Sequence, residues 1–226
     1  MQVLAFSWGY AGWGNHTRAL VDLVDRVEAS RGFAPPLFAD VRIRRQVRAE
    51  GFRDRAFETL LGDRYVWLRG LGNRRILDPS LTKHVLDDPR DIDRLIELVT
   101  AQPDRRVIYF CSCASPLEQH TCHRALVAKT LVRRARAITS EEWPGGSPLT
   151  LDALALPAVH DKKLRSLIGK KQTWRLPLPG SLPLERAGAL PHYSTFDQGD
   201  YAFTSGPTIM TARGWILPVY DVRATV

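Results

Sequence analysis

The residues of this chain able to act as nucleophile, base or soft-metal ligand crowd into one short stretch. All three cysteines and two of the six histidines lie between Cys111 and His123, within VIYFCSCASPLEQHTCHRALVAKTLVRRAR over residues 107–136. An apolar segment ends at Cys111, a loop follows, and Cys122-His123-Arg124 opens a helical pattern. A helix N-terminus presents free N–H groups and the positive end of a dipole, so it attracts anions and lowers the pKa of a nearby thiol. Three uses follow from these residue types. A phosphate can be held by the backbone with Arg124 and Arg42, whose guanidinium forks grip two oxygens at once. A thiolate nucleophile, Cys111 or Cys122, can take His123 or His120 as its proton partner. Zinc or iron can be bound by Cys111, Cys122 and His123, with Cys113 and His120 as extra ligands. The spacing, Cys-x-Cys and then His-x-Cys-His, matches none of the standard paired zinc patterns. Neighbouring helical residues point about 100° apart, so at most one of Cys122 and His123 is expected to bind a given ion with ease. Against all three stands the plain reading of Cys111 as a small core residue.

The elements that must position these residues follow from hydrophobic periodicity. Gln2–Trp8 reads as a buried strand, and Leu20, Val21, Leu23, Val24 and Val27 carry helical spacing after it. Pro36–Val41 is a second strand, followed by a helix bearing Phe52, Ala56, Phe57, Leu60 and Leu61. Tyr65–Leu68 is a third strand, and Ile92, Leu95, Ile96 and Val99 mark the next helix. Val107–Phe110 is a fourth strand, Ala125–Val132 a helix, and Ala137–Thr139 a fifth strand. This alternation predicts a three-layer α/β, Rossmann-like fold over residues 1–140, with a mostly parallel sheet covered by helices on both faces. In such folds ligands bind beyond the carboxyl ends of the strands, where Cys111 lies. Asp40 and Arg42 end the second strand on the same sheet edge. Asp40 suits a general base or a ribose ligand there, and an Asp40–Arg42 structural pair is equally open.

Residues 141–226 have another texture. They hold nine of the fifteen prolines, which excludes long helices through most of the segment and predicts a proline-rich, partly β extension packed on the first domain. Tyr201–Met210 and Gly214–Val222 read as two strands, with Tyr201, Phe203, Trp215 and Tyr220 as core residues.

Composition narrows the function classes. No apolar run approaches the ~18 residues of a membrane span, and the first ten residues lack a signal-peptide layout. Three clustered cysteines do not form a secreted disulfide framework, so reduced thiols and a cytoplasmic location are expected. The net charge of +8 is uneven: residues 1–140 carry 23 Lys and Arg against 16 Asp and Glu. A basic surface of this kind favours nucleotide or nucleic-acid partners, although solvated helix faces account for it equally.

The residues also carry a family resemblance. Asp40-Val41-Arg42 after an apolar strand, Tyr65-Val66-Trp67-Leu68, and a strand ending in Cys111 followed by Cys122-His123-Arg124 resemble the domain of unknown function 488 family over residues 3–139. The resemblance implies the α/β fold and a polar site at Asp40, Arg42, Cys111, Cys122, His123 and Arg124, and it implies no particular reaction. This chain departs from the family pattern in a longer loop after Cys111, which supplies Cys113 and His120, and in Ser7-Trp8-Gly9-Tyr10 after the first strand.

Two further features carry weaker signals. Gly9, Gly12 and Gly14 stand where a phosphate loop would lie, but not at dinucleotide-fold spacing, so a tight turn is the better reading; Trp8 and Trp13 beside them offer stacking surfaces. Asn15 or Thr17 is the expected cap of the helix that follows. Lys162, Lys163, Arg165, Lys170 and Lys171 with Trp174 suit a nucleic-acid backbone or a solvated helix face. The leading expectation is a protein that binds or processes a phosphate-bearing ligand, nucleotide or nucleic acid, where Asp40, Arg42, Cys111, Cys122, His123 and Arg124 converge. The rivals are a zinc or iron metalloprotein and a non-catalytic nucleic-acid accessory protein.

Overall fold

The structure, a computed structural model, describes residues 3–11, 13–113, 121–143, 145, 158–170, 174–177, 194–198, 201–205, 209–211 and 214–224. Strands β1 (Val3–Gly9), β2 (Ala34–Asp40), β3 (Tyr65–Trp67), β4 (Arg105–Cys111) and β5 (Ile138–Glu142) form one sheet in the order β3-β2-β4-β1-β5. Every strand pair in it is parallel, as the alternation of strands and helices predicts. Helices α1 (Thr17–Ser30), α2 (Ala56–Leu61), α3 (Asp91–Ala101) and α4 (His123–Arg134) fall between the strands. β4 is the middle strand, so Cys111 ends at the centre of the sheet's carboxyl edge.

Side-chain alternation divides the core into two layers. Val107, Tyr109 and Cys111 of β4 face Ile92, Leu95 and Val99 of α3 and Val127 and Leu131 of α4. Ile108 and Phe110 face the other way, against Leu20, Val24 and Val27 of α1, Phe57 of α2 and Phe52 just before it. The period of two along a strand thus assigns successive residues to opposite layers. Each fully buried Leu, Val or Phe stabilises its layer by about 1.5–3 kcal/mol.

Two local departures from the periodicity have visible causes. Phe52 does not belong to the helix that carries Phe57: a single turn spans Glu50–Phe52, Asp54 takes φ 49°, and α2 begins at Ala56. A left-handed residue cannot continue a helix, so the apolar pattern is kept while the backbone is broken. In β2, pairing with β4 shifts between Ala34 and Leu37, where Pro35 and Pro36 have no N–H to give the ladder. The helix cap also differs from expectation, since His16, and neither Asn15 nor Thr17, occupies the N-cap of α1, without a side-chain cap bond.

Beyond residue 157 the described segments are α5 (Ala158–Arg165) and strands β6 (Trp174–Pro177), β7 (Ser194–Gln198), β8 (Tyr201–Ser205), β9 (Ile209–Thr211) and β10 (Gly214–Ala224). These strands pair antiparallel in the order β6-β10-β8-β7, with β9 also on β10. The expected strand Tyr201–Met210 is therefore two strands, with Gly206 and Pro207 between them in sequence. Tyr201 and Phe203 are buried as expected, while the side chains of Trp215 and Tyr220 fall outside the description. In the basic stretch, Lys163 lies over the Trp174 ring and Arg165 over Tyr201, which engages both aromatics within the protein. Among the described residues no helix is long and apolar enough to cross a membrane.

Candidate functional site

Cys111 ends β4 with its side chain in the α3/α4 layer, and the chain returns to the same place at Cys122. Cys122 is the N-cap of α4 with extended backbone (φ −114°, ψ 151°), and His123 is the first helical residue. The 100° divergence expected for adjacent helical residues therefore does not apply: Cys122 stands outside the helix, and its Sγ lies 3.7 Å from His123 Nδ1. Cys111 Sγ and Cys122 Sγ are 3.4 Å apart. Cys113 completes the group, its backbone N–H donating to Cys111 Sγ at 3.2 Å. The three sulfurs all lie within 4.8 Å of one another. His120 lies outside the described residues.

The His123 ring is oriented by strand β2. Its Nε2 stands 2.9 Å from the carbonyl oxygen of Val41, which can only accept, so Nε2 carries the proton and Nδ1 presents its lone pair to Cys122. Burial lowers the His123 pKa, which keeps the ring neutral in this role. The two neighbouring thiols are pushed in opposite directions, Cys122 down and Cys111 up. The Cys111 and Cys113 thiols that donate to Cys122 lower its pKa, helped by the guanidinium and backbone N–H of Arg124 against the cost of burial. Burial and its thiol neighbours push Cys111 the other way, well above the ordinary thiol value. A helix N-terminus beside a cation is the environment that turns a thiol into a thiolate.

Arg124 does not face outward. Fully buried, it crosses the edge of the sheet to donate from Nη1 to Glu142 Oε1 and Oε2 at 2.8 and 2.9 Å and to Ser7 Oγ at 2.5 Å. Gly9 makes room for this arrangement: a Cβ there would stand 2.1 Å from the Cys113 carbonyl oxygen and 3.0 Å from Arg124 Nη2.

Asp40 and Arg42 form a separate constellation. Asp40 ends β2 in the α1/α2 layer, fully buried, and accepts from Arg42 Nε and Nη2, from the Arg42 backbone N–H, and from Tyr65 Oη at 2.6 Å. Arg42 Nη1 donates to Tyr10 Oη and to the Phe52 carbonyl, each at 2.9 Å. Burial and the Asp40 charge hold the Tyr65 hydroxyl above its usual pKa, so it stays a donor. The expected convergence of all six residues is thus corrected. They share the carboxyl edge of the sheet, but Asp40 and Arg42 lie on one face and Cys111, Cys122 and His123 on the other. The two groups meet through the backbone of Val41, whose carbonyl holds His123. The expectation that Arg42 and Arg124 hold a phosphate is corrected likewise, because both guanidiniums are buried against carboxylates of the protein. Trp8 and Trp13 are core residues and offer no stacking face to a base. Of the glycine loop, Gly14 sits at φ 57° in a turn, and Gly12 falls outside the described residues.

One residue of the site carried no sequence signal. His84 lies edge-on to His123 with ring centroids 6.5 Å apart. Its Nε2 donates to the Thr121 carbonyl at 3.2 Å, and its Nδ1 accepts from Asn73 Nδ2 at 3.0 Å. It therefore fixes the residue that precedes Cys122. Nothing but its being a histidine marks it in the chain, because the loop that carries it has no periodicity.

No family model, curated protein or solved structure matches this chain.

Proposed function

We propose that the protein holds a soft transition-metal ion, zinc or iron, at a thiolate centre made by Cys111, Cys113 and Cys122, with His123 Nδ1 as the adjoining donor. The observation that carries this reading is the group of three sulfurs within 4.8 Å, two of them 3.4 Å apart. Four sulfurs at zinc–sulfur distances of about 2.3 Å stand ~3.8 Å from one another, so three such thiols need little movement to share one ion. Supporting details are the lowered pKa of the Cys122 thiol and the second-nitrogen bond from His123 to a backbone carbonyl, the usual way in which a ligating imidazole is oriented. A centre of free thiols belongs in a reducing compartment, which favours a cytoplasmic location. The resemblance to the domain of unknown function 488 family rests on the same strand-end cysteine and Cys122-His123-Arg124, and we propose that kinship with this centre as its core.

Elemental analysis of the full chain, purified without chelator, tests the reading. One equivalent of zinc or iron is expected, falling sharply in Cys111→Ser and Cys122→Ser proteins that keep their fold. Less than about 0.2 equivalents of any transition metal in the unaltered protein sinks it.

A second reading keeps a phosphate-bearing ligand at the sheet's carboxyl edge. What favours it is the basic excess of residues 1–140 and a cleft that opens at that edge. Arg42 and Arg124 do not serve it.

A further inference from the structure

We propose that this cleft is a binding site for a phosphorylated small molecule of nucleotide size, with Arg48 and Arg53 as its phosphate ligands. The inference rests on the second reading above and gives it a place. The cleft measures about 530 Å3, within the range of small-ligand sites. Three chain segments that follow strands line it: Tyr10 and Ala11 after β1, residues 46–49 with Arg53 after β2, and Ser112 after β4. It therefore opens beyond the carboxyl ends of adjacent parallel strands, the place where α/β sheets bind ligands.

Its chemistry is that of an anion site with an apolar wall. Arg48 and Arg53 are exposed, and among the described residues neither has a carboxylate within ion-pair distance. Their neighbours differ: Arg42 is held by Asp40, and Arg45 and Arg55 by Glu58. Among the described residues no acidic side chain lines the cleft, while Gln46 and Ser112 add neutral hydrogen-bonding groups and Ala11, Val47 and Ala49 an apolar side. Two guanidiniums without acidic partners match the double charge of a phosphate monoester better than a single carboxylate. Ser112 stands between Cys111 and Cys113 in the chain. A phosphate seated here would leave the rest of the molecule within reach of the edge that carries the thiolate centre.

Calorimetric titration of the full chain at low salt, with AMP, ribose 5-phosphate and adenosine, tests the inference. AMP and ribose 5-phosphate are expected to bind and adenosine to bind at least about tenfold more weakly, the phosphate contributing charge-assisted hydrogen bonds. The Arg48→Ala, Arg53→Ala double variant should lose about tenfold or more in AMP affinity, whereas Arg44→Ala, exposed and outside the cleft, should not. Both altered positions are on the surface, and circular dichroism confirms that the variant is folded. If AMP binds the double variant as tightly as the unaltered protein, the cleft assignment falls while a phosphate ligand elsewhere survives. If neither phosphate compound binds the unaltered protein, both fall. Binding of a twelve-nucleotide DNA without binding of AMP overturns the small-molecule class.

Discussion

Two groups of polar residues sit at the same edge of the same sheet and are built on opposite terms. On the α1/α2 face, Asp40, Arg42, Tyr10 and Tyr65 form a closed network in which carboxylate oxygens and guanidinium nitrogens meet partners inside the protein. On the α3/α4 face, Cys111, Cys113, Cys122 and His123 have mainly one another, and Nδ1 of His123 faces the Cys122 sulfur. A buried ion pair with its hydrogen bonds complete resists change, because losing either partner strands the other. Thiols gathered this closely, with no carboxylate or guanidinium among the described residues bonded to their sulfurs, keep their lone pairs for an ion. The first group is satisfied within the fold; the second is the one that the proposed metal centre draws on.

The largest expected effect tests that division directly. Asp40→Ala leaves Arg42 buried without its carboxylate and should lower the unfolding free energy by about 3–5 kcal/mol, with the metal content per folded molecule unchanged. Urea unfolding with elemental analysis reads both quantities, and loss of metal from folded Asp40→Ala protein would erase the distinction between the faces. Gly9→Ala comes next, at about 1–3 kcal/mol, since its Cβ would meet the Cys113 carbonyl at 2.1 Å. It should also speed modification of the thiols by a disulfide reagent, as Cys113 is pushed off its seat.

The pH response should belong to the thiol face. The lowered Cys122 pKa contributes stability that is complete above the ordinary thiol value near 8.5 and declines as pH falls toward the folded value. His123, lowered by burial, adds to the loss once pH drops below its ordinary value near 6.5, where the unfolded chain takes up a proton that the folded one resists. Cys111, raised by burial, acts oppositely, and its contribution is lost as pH rises above the ordinary thiol value. Stability of the metal-free protein should therefore fall between pH 8 and 5, with up to about 1.4 kcal/mol per unit from Cys122 and a further share from His123 below pH 6.5, and Cys122→Ser should flatten the upper part of that slope. An equal slope in Cys122→Ser would place the titrating group elsewhere. Smallest in stability is His84→Ala, at about 1 kcal/mol for its hydrogen bonds, with a larger change in the modification rate of Cys122 than of Cys111.

Much of the α/β unit was legible because strands and helices announce themselves by period. Val107, Tyr109 and Cys111 alternate with Ile108 and Phe110, and the cysteine cluster at the end of that strand could be named from residue types alone. What the chain does not state is strand order. β4 inserts between β2 and β1, and only that order, with the pleat, reveals that Asp40 and Cys111 look to opposite faces. The state of the arginines was equally hidden, since the partner of Arg124 is Glu142, which is brought to it by the crossover from α4 to β5. His84 reaches the site through a loop whose path no periodicity records. The helical geometry assumed for Cys122 does not hold, because its backbone is extended at the N-cap, yet the close ligand group still contains Cys122 and not His123.

The seating of Cys113 and Thr121 bears on how such a centre can change over time. Cys113 is anchored by its bond to Cys111 and by the close approach at Gly9, and Thr121 by His84. The sheet edge and the start of α4 themselves therefore set where these two residues stand. A substitution at Gly9 or His84 thus reaches the sulfurs through those anchors without touching a cysteine.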